Sequence, residues 1–122
     1  MDRLITLRTN LQLLQEHADR VSNGPIPADI QALRIGDFVV VTFPGEPFAE
    51  VGLRSKKQSP FPKMFVAGNA NGELAGDYAP TSGAYDKQGY EDSCTQLAPA
   101  WQEIYERKAL EMIGRLRSSS DR

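Results

Sequence analysis

The sequence has 122 residues, of which 40% are hydrophobic and 25% are charged, as in a soluble globular protein of one domain. Fourteen basic residues against sixteen acidic ones give a formal net charge of −2, which argues against a nucleic acid or an anionic membrane as partner. The single cysteine, Cys94, excludes an internal disulfide and a multi-cysteine zinc site.

Targeting signals are not evident in the sequence. The N-terminus lacks the continuous apolar core of a secretory signal peptide. No run approaches the roughly 18 apolar residues that a membrane span needs. We therefore expect a soluble protein without a membrane span, located in the cytoplasm if Met1 is the natural start.

The first predicted element is an N-terminal helix over residues 1–21. Apolar residues recur there at alternating steps of three and four, which is the spacing of one narrow helical seam (Leu4, Leu7, Leu11, Leu14, Ala18 and Val21). Gly24 and Pro25 then end the helix. The seam is expected to cover one face of the protein's own sheet or, alternatively, to pair with another helix as in a coiled coil.

A β-hairpin is predicted next, because "DIQALRI" and "FVVVTF" flank the two-residue turn Gly36-Asp37. The second arm, residues 38–43, shows almost no polar alternation and is expected to be buried on both faces. Pro44 and Gly45 end this arm. The segment "PFAEVGLRSKKQS" then predicts a short helix, and "KMFVAG" predicts a third strand.

A long glycine-rich loop over residues 68–85 precedes a C-terminal helix that is expected to begin near Pro99. Loops of this length in a compact domain are usually either functional or disordered. The element order predicts one α+β domain over residues 1–122. Its C-terminal helix is expected to pack on a small mixed sheet.

Two residues are candidates for a functional role. Glu46 follows the apolar strand at a Pro-Gly turn, where a carboxylate could cap the short helix or, alternatively, bind a metal. Tyr78 lies in the glycine-rich loop, where packing with an exposed hydroxyl is the simplest interpretation. No nucleophile, P-loop or H-E-x-x-H motif is present. A zinc enzyme usually needs three protein ligands, often with two histidines among them, and this chain has one histidine, His17. The chain alone therefore cannot supply such a site.

Three segments follow one another in the order "ALRIGDFVVVTFPGEPFAEVG", "FPKMFVAGNANG" and "DYAPTSGAYDKQGYEDS". Together they resemble the C-terminal part of the neutral/alkaline (non-lysosomal) ceramidase family, including its bacterial ceramidase-like members. The resemblance covers about residues 31–116. It implies a zinc-dependent amidase that hydrolyses the N-acyl bond of ceramide or a related lipid amide.

The resemblance also implies roles for individual residues. In the family, zinc is held by two histidines from the N-terminal half and by a glutamate and a tyrosine from the C-terminal half. The glutamate matches Glu46 and the tyrosine matches Tyr78. A further family tyrosine, which polarises the amide carbonyl, matches Tyr90. Both zinc histidines and the active-site serine region of the family lack a counterpart in this sequence.

These matches predict the C-terminal portion of a larger ceramidase-like hydrolase domain. Alone, the chain is expected to be catalytically silent, with zinc absent or weakly bound. Its expected partners are the missing N-terminal half or further copies of itself. The alternative function is a non-catalytic protein-interaction or oligomerisation module.

Overall fold

The computed structural model describes residues 8, 11–12, 15–16, 18–19, 24–25, 27–72, 77–87 and 89–118. In the N-terminal segment, the described residues between positions 8 and 19 are helical and exposed, including Leu11 and Ala18 of the predicted seam. The rest of the predicted N-terminal helix, His17 included, and residues 73–76 of the glycine-rich loop lie outside the described residues.

The remaining elements form the predicted α+β arrangement. They are β1 (Ala32–Ile35), β2 (Phe38–Thr42), β3 (Glu46–Pro47), α1 (Ala49–Gln58), β4 (Lys63–Ala67), β5 (Tyr78–Ala79), α2 (Tyr90–Cys94) and α3 (Trp101–Ser118), with a 3₁₀ turn at Tyr85–Lys87. No helix in the described part of the chain combines the length and the apolar character that a membrane crossing requires.

A three-stranded mixed sheet has the strand order β1-β2-β4. Strands β1 and β2 are antiparallel and joined by the predicted two-residue turn, in which Gly36 takes a positive φ of 60° that suits glycine. Strands β2 and β4 are parallel, so the chain must cross over between them, and α1 makes that crossover.

The hydrophobic core lies between one face of this sheet and helices α1 and α3. The Phe43 ring is central, because its centroid lies 5.0 Å from that of Trp101 and 4.9 Å from that of Tyr105. Buried apolar side chains from the strands and both helices complete the cluster (Val39, Val41, Val51, Met64, Ala109 and Ile113). The predicted packing of the C-terminal helix on the sheet is therefore confirmed.

The expectation that the second hairpin arm is buried on both faces is wrong. Burial alternates along β2, with Val39 and Val41 fully buried. Helices α1 and α3 pack on the same face of the sheet. Apolar side chains on the opposite face are exposed to solvent. Leu33 is 60% exposed, Ile35 66% and Phe65 49%.

Candidate metal site at the Pro-Gly-Glu turn

A second, two-stranded sheet pairs the backbones of the two predicted metal ligands. Strands β3 and β5 are parallel, and Glu46 is the direct partner of Tyr78. The Glu46 N–H donates to the Asp77 carbonyl over 2.9 Å, and the Phe48 N–H donates to the Ala79 carbonyl over 3.1 Å. Partner residues of paired strands share a face of the sheet, so the carboxylate and the phenol start from adjacent backbone positions.

The turn that carries Glu46 is held by the first residues of the glycine-rich loop. The Asn69 N–H donates to the Gly45 carbonyl over 2.7 Å, and the Ala70 N–H donates to the Phe43 carbonyl over 3.0 Å. These bonds tie the loop to the turn just beyond the ends of β2 and β4. The loop and the turn are therefore one backbone unit rather than two independent segments.

Two glycines of this loop lie close to the turn, and Gly72 leaves no room for a side chain. A Cβ atom at Gly68 would lie 3.2 Å from the Gly45 carbonyl oxygen, and one at Gly72 would lie 2.4 Å from the Cβ atom of Pro44. The second distance is shorter than any tolerated carbon contact, and the Pro44 ring is buried and cannot move aside. The glycines of the segment "GNANG" therefore allow this loop to pack closely against the Pro-Gly-Glu turn.

The Glu46 side chain is half-buried at an open cleft of about 460 Å³. Its Oε1 atom accepts a hydrogen bond from Nδ2 of Asn69 over 3.2 Å. The capping interpretation of Glu46 is wrong, because Phe48 holds the N-cap position of α1 and no side chain caps that end. The carboxylate instead lies at a cleft that is also lined by Pro47, Val66 and Asn69.

The two predicted tyrosines lie against each other. Their ring centroids are 5.8 Å apart in an edge-to-face contact, with Tyr78 half-buried and Tyr90 68% exposed at the first residue of α2. The interaction with Cys94 raises the pKa of the Tyr90 phenol above its ordinary value. A phenol that stays protonated keeps its hydrogen available for donation. Neither tyrosine lines the cleft beside Glu46.

Strand β5 is fixed from the C-terminal side by contacts that sequence reasoning missed. Nε2 of Gln96 donates to both carboxylate oxygens of Asp77, over 2.9 and 2.8 Å. Nε1 of Trp101 donates to the Pro80 carbonyl over 2.8 Å. These bonds hold the residues on either side of β5, and hence Tyr78 between them. No periodic pattern links such distant partners, so the sequence carried no signal for these contacts.

The donors present fit only part of a zinc site. Glu46 and Tyr78 offer a carboxylate and a phenol oxygen, whereas zinc sites draw mainly on nitrogen and sulfur. Among the described residues, no three His, Cys, Asp or Glu side chains come together as a candidate metal cluster. A four-coordinate site would therefore need further ligands from elsewhere.

Comparison of this chain with protein families, with curated proteins and with solved structures finds no match.

Proposed function

We propose that this chain is the C-terminal segment of a ceramidase-like zinc-dependent amidase, in which Glu46 and Tyr78 supply two oxygen ligands. The observation that supports the proposal most strongly is the pairing of these two residues across β3 and β5. The family resemblance names the same two residues from the sequence. Capping does not account for the Glu46 carboxylate, which lies at a cleft.

The residues have complementary roles in such a site. Bound zinc would supply a Lewis acid for the amide carbonyl and an activated water. The anionic Glu46 would offset part of the metal charge, and its rigid turn would fix the direction of the carboxylate. The Tyr90 phenol would donate a hydrogen bond to the carbonyl oxygen as negative charge develops there.

The remaining ligands of the site would come from a second polypeptide segment, the N-terminal half that the family resemblance implies. One carboxylate and one phenol bind zinc weakly, since neither is a donor that zinc prefers. The chain alone is therefore expected to bind zinc only weakly and to leave N-acyl amides intact. A ceramide or a related lipid amide is the proposed substrate class of the complete enzyme.

The direct test is a measurement of retained zinc and of amide hydrolysis on the isolated chain. The chain is equilibrated with zinc, passed through a desalting column and analysed for metal, and an N-acyl lipid amide is then offered as substrate. We expect far less than one zinc per chain and no hydrolysis above the buffer rate. One tightly held zinc per chain, or turnover by the monomer, would contradict the proposal.

A second candidate function is self-association through the open face of the three-stranded sheet. The rings of Phe38 and Phe65 are in tilted contact there, with centroids 5.1 Å apart, beside the exposed Leu33 and Ile35. Contiguous exposed apolar side chains of this kind are typical of protein interfaces. We propose a second copy of this chain as the occupant.

Replacing Ile35 by lysine is expected to abolish this self-association, because it places a charge on the apolar face. Leu53→Lys is the matched control, since Leu53 on α1 is also 66% exposed but lies away from that face. Sedimentation velocity measures the effect. A wild-type chain that stays a folded monomer, or equal effects of both substitutions, would count against the interface.

A further inference from the structure

We infer that the apolar seam of the N-terminal helix in one copy of this chain covers the open face of the three-stranded sheet in a second copy, and that two copies exchange these helices reciprocally. The inference rests on the self-association proposed above and names the segment that makes it. The chain exposes both surfaces at once, since Leu11 of the seam is 64% exposed and Ile35 of the open face is 66% exposed. Each surface is apolar and suits the other as its cover.

The open face has the width of one helix. Two rows of neighbouring side chains cross all three strands on this face (Leu33, Val40 and Phe65; Ile35, Phe38 and Lys63). Five of these six side chains are apolar. Three strands spaced by about 4.8 Å are about 10 Å across, which matches the diameter of a helix with its side chains.

The seam has the length that this face requires. Residues 4–21 carry its apolar positions and, as a helix, are about 26 Å long at 1.5 Å per residue. The central strand, β2, has five residues and is about 17 Å long. About three turns of the helix therefore cover the face, and they present one narrow apolar stripe to it.

The linker between the seam and the sheet favours exchange over folding back. Its C-terminal end is fixed, because the Gln31 N–H donates to Oγ1 of Thr42 over 2.8 Å and Ile30 packs against the core. Pro25 and Pro27 stiffen the preceding residues, since proline fixes φ and favours an extended chain. The described helical residues between positions 8 and 19 are accordingly exposed rather than packed on their own sheet. Exchange of an identical element between copies is a low-cost route to a symmetric dimer.

Lysine substitutions at two neighbouring positions of the helix test the seam. Leu11→Lys places a charge on the seam, and Gln12→Lys places the same charge beside it, at a position that is also helical and exposed. Sedimentation velocity of the full chain over a range of concentrations gives the dissociation constant of the dimer. We expect Leu11→Lys to raise it at least about a hundredfold, because the dimer buries two copies of a leucine that contributes about tenfold or more. Gln12→Lys should change it by less than about fivefold.

A mixture of two variants tests the reciprocal exchange itself. In a dimer of Leu11→Lys, and equally in a dimer of Ile35→Lys, both helix–sheet contacts contain a lysine. A mixed dimer of the two variants has both lysines in one contact and leaves the other contact unaltered. We therefore expect the mixture to form dimers at concentrations at which each variant alone is a monomer. Such recovery also shows that both variants are folded.

The outcomes separate this inference from the self-association on which it rests. A wild-type chain that stays a monomer overturns both. A dimer that is abolished by Ile35→Lys and unaffected by Leu11→Lys overturns the helix exchange and leaves self-association through the open face intact. Equal effects of Leu11→Lys and Gln12→Lys, or a mixture of Leu11→Lys and Ile35→Lys that stays monomeric, overturn the exchange as well.

Discussion

Replacing Trp101 by alanine is expected to lower the free energy of unfolding by about 3–5 kcal/mol, because it leaves a cavity where a large ring was packed. Trp101, the first residue of α3, is 8% exposed, and its ring centroid lies 5.0 Å from that of Phe43. A loss of this size is a large part of the roughly 5–15 kcal/mol that stabilises a typical domain. Urea unfolding followed by far-ultraviolet circular dichroism measures it, since the variant has lost the protein's one tryptophan.

The Trp101→Phe substitution separates packing from hydrogen bonding. It keeps an aromatic ring but removes the indole N–H that donates to the Pro80 carbonyl. We expect a smaller loss of about 1–3 kcal/mol from the unpaired buried carbonyl. Pro80 directly follows β5, so the amide signals of Tyr78 should also shift in this variant. A loss below about 1 kcal/mol in Trp101→Ala would show that the ring does not hold α3 on the sheet.

Local chemistry accounts for the parts of the fold that the sequence predicted. The turn Gly36-Asp37 sets the hairpin by itself, because glycine supplies the positive φ that the two-residue connection needs. Helical spacing identified α1 and α3 within about two residues, since a helix repeats its apolar face every turn. Each of these signals lies within a short stretch of chain.

The errors have a different origin. Strand β2 has apolar side chains on both faces, and composition alone did not reveal that α1 and α3 pack on one face only. Strands β3 and β5 have two residues each, which is too short for any periodicity to show. Their pairing joins Glu46 to Tyr78, which lie far apart in the sequence.

The candidate site was predictable only in part. Glu46, Tyr78 and Tyr90 were named through the family resemblance, and the structure places Tyr78 beside both of the others. The supporting contacts of Asn69 and Gln96 were not predicted, because a hydrogen bond between distant residues leaves no trace in local spacing. The metal role of Glu46 and Tyr78 stays a prediction.

The substitution Glu46→Gln is expected to remove most of the zinc response of this chain. Glutamine keeps the size of the side chain and the acceptor for Asn69, but it lacks the negative charge that attracts a cation. We expect the affinity to fall at least about tenfold, which corresponds to about 1.4 kcal/mol. Tyr78→Phe should weaken zinc binding less, since a phenol must lose its proton to bind a metal well. Glu50→Gln is the control, because Glu50 is an exposed acid on the neighbouring helix.

A zinc titration of the wild-type chain and of Glu46→Gln, followed residue by residue by nuclear magnetic resonance, tests the central claim most directly. The account predicts weak binding, with a dissociation constant on the order of 1 mM. It places the shifts at Glu46, Asn69 and Tyr78, and expects them to vanish in Glu46→Gln while Glu50→Gln keeps them. Zinc shifts centred elsewhere in the chain, or shifts at the turn that persist without the Glu46 carboxylate, would contradict it.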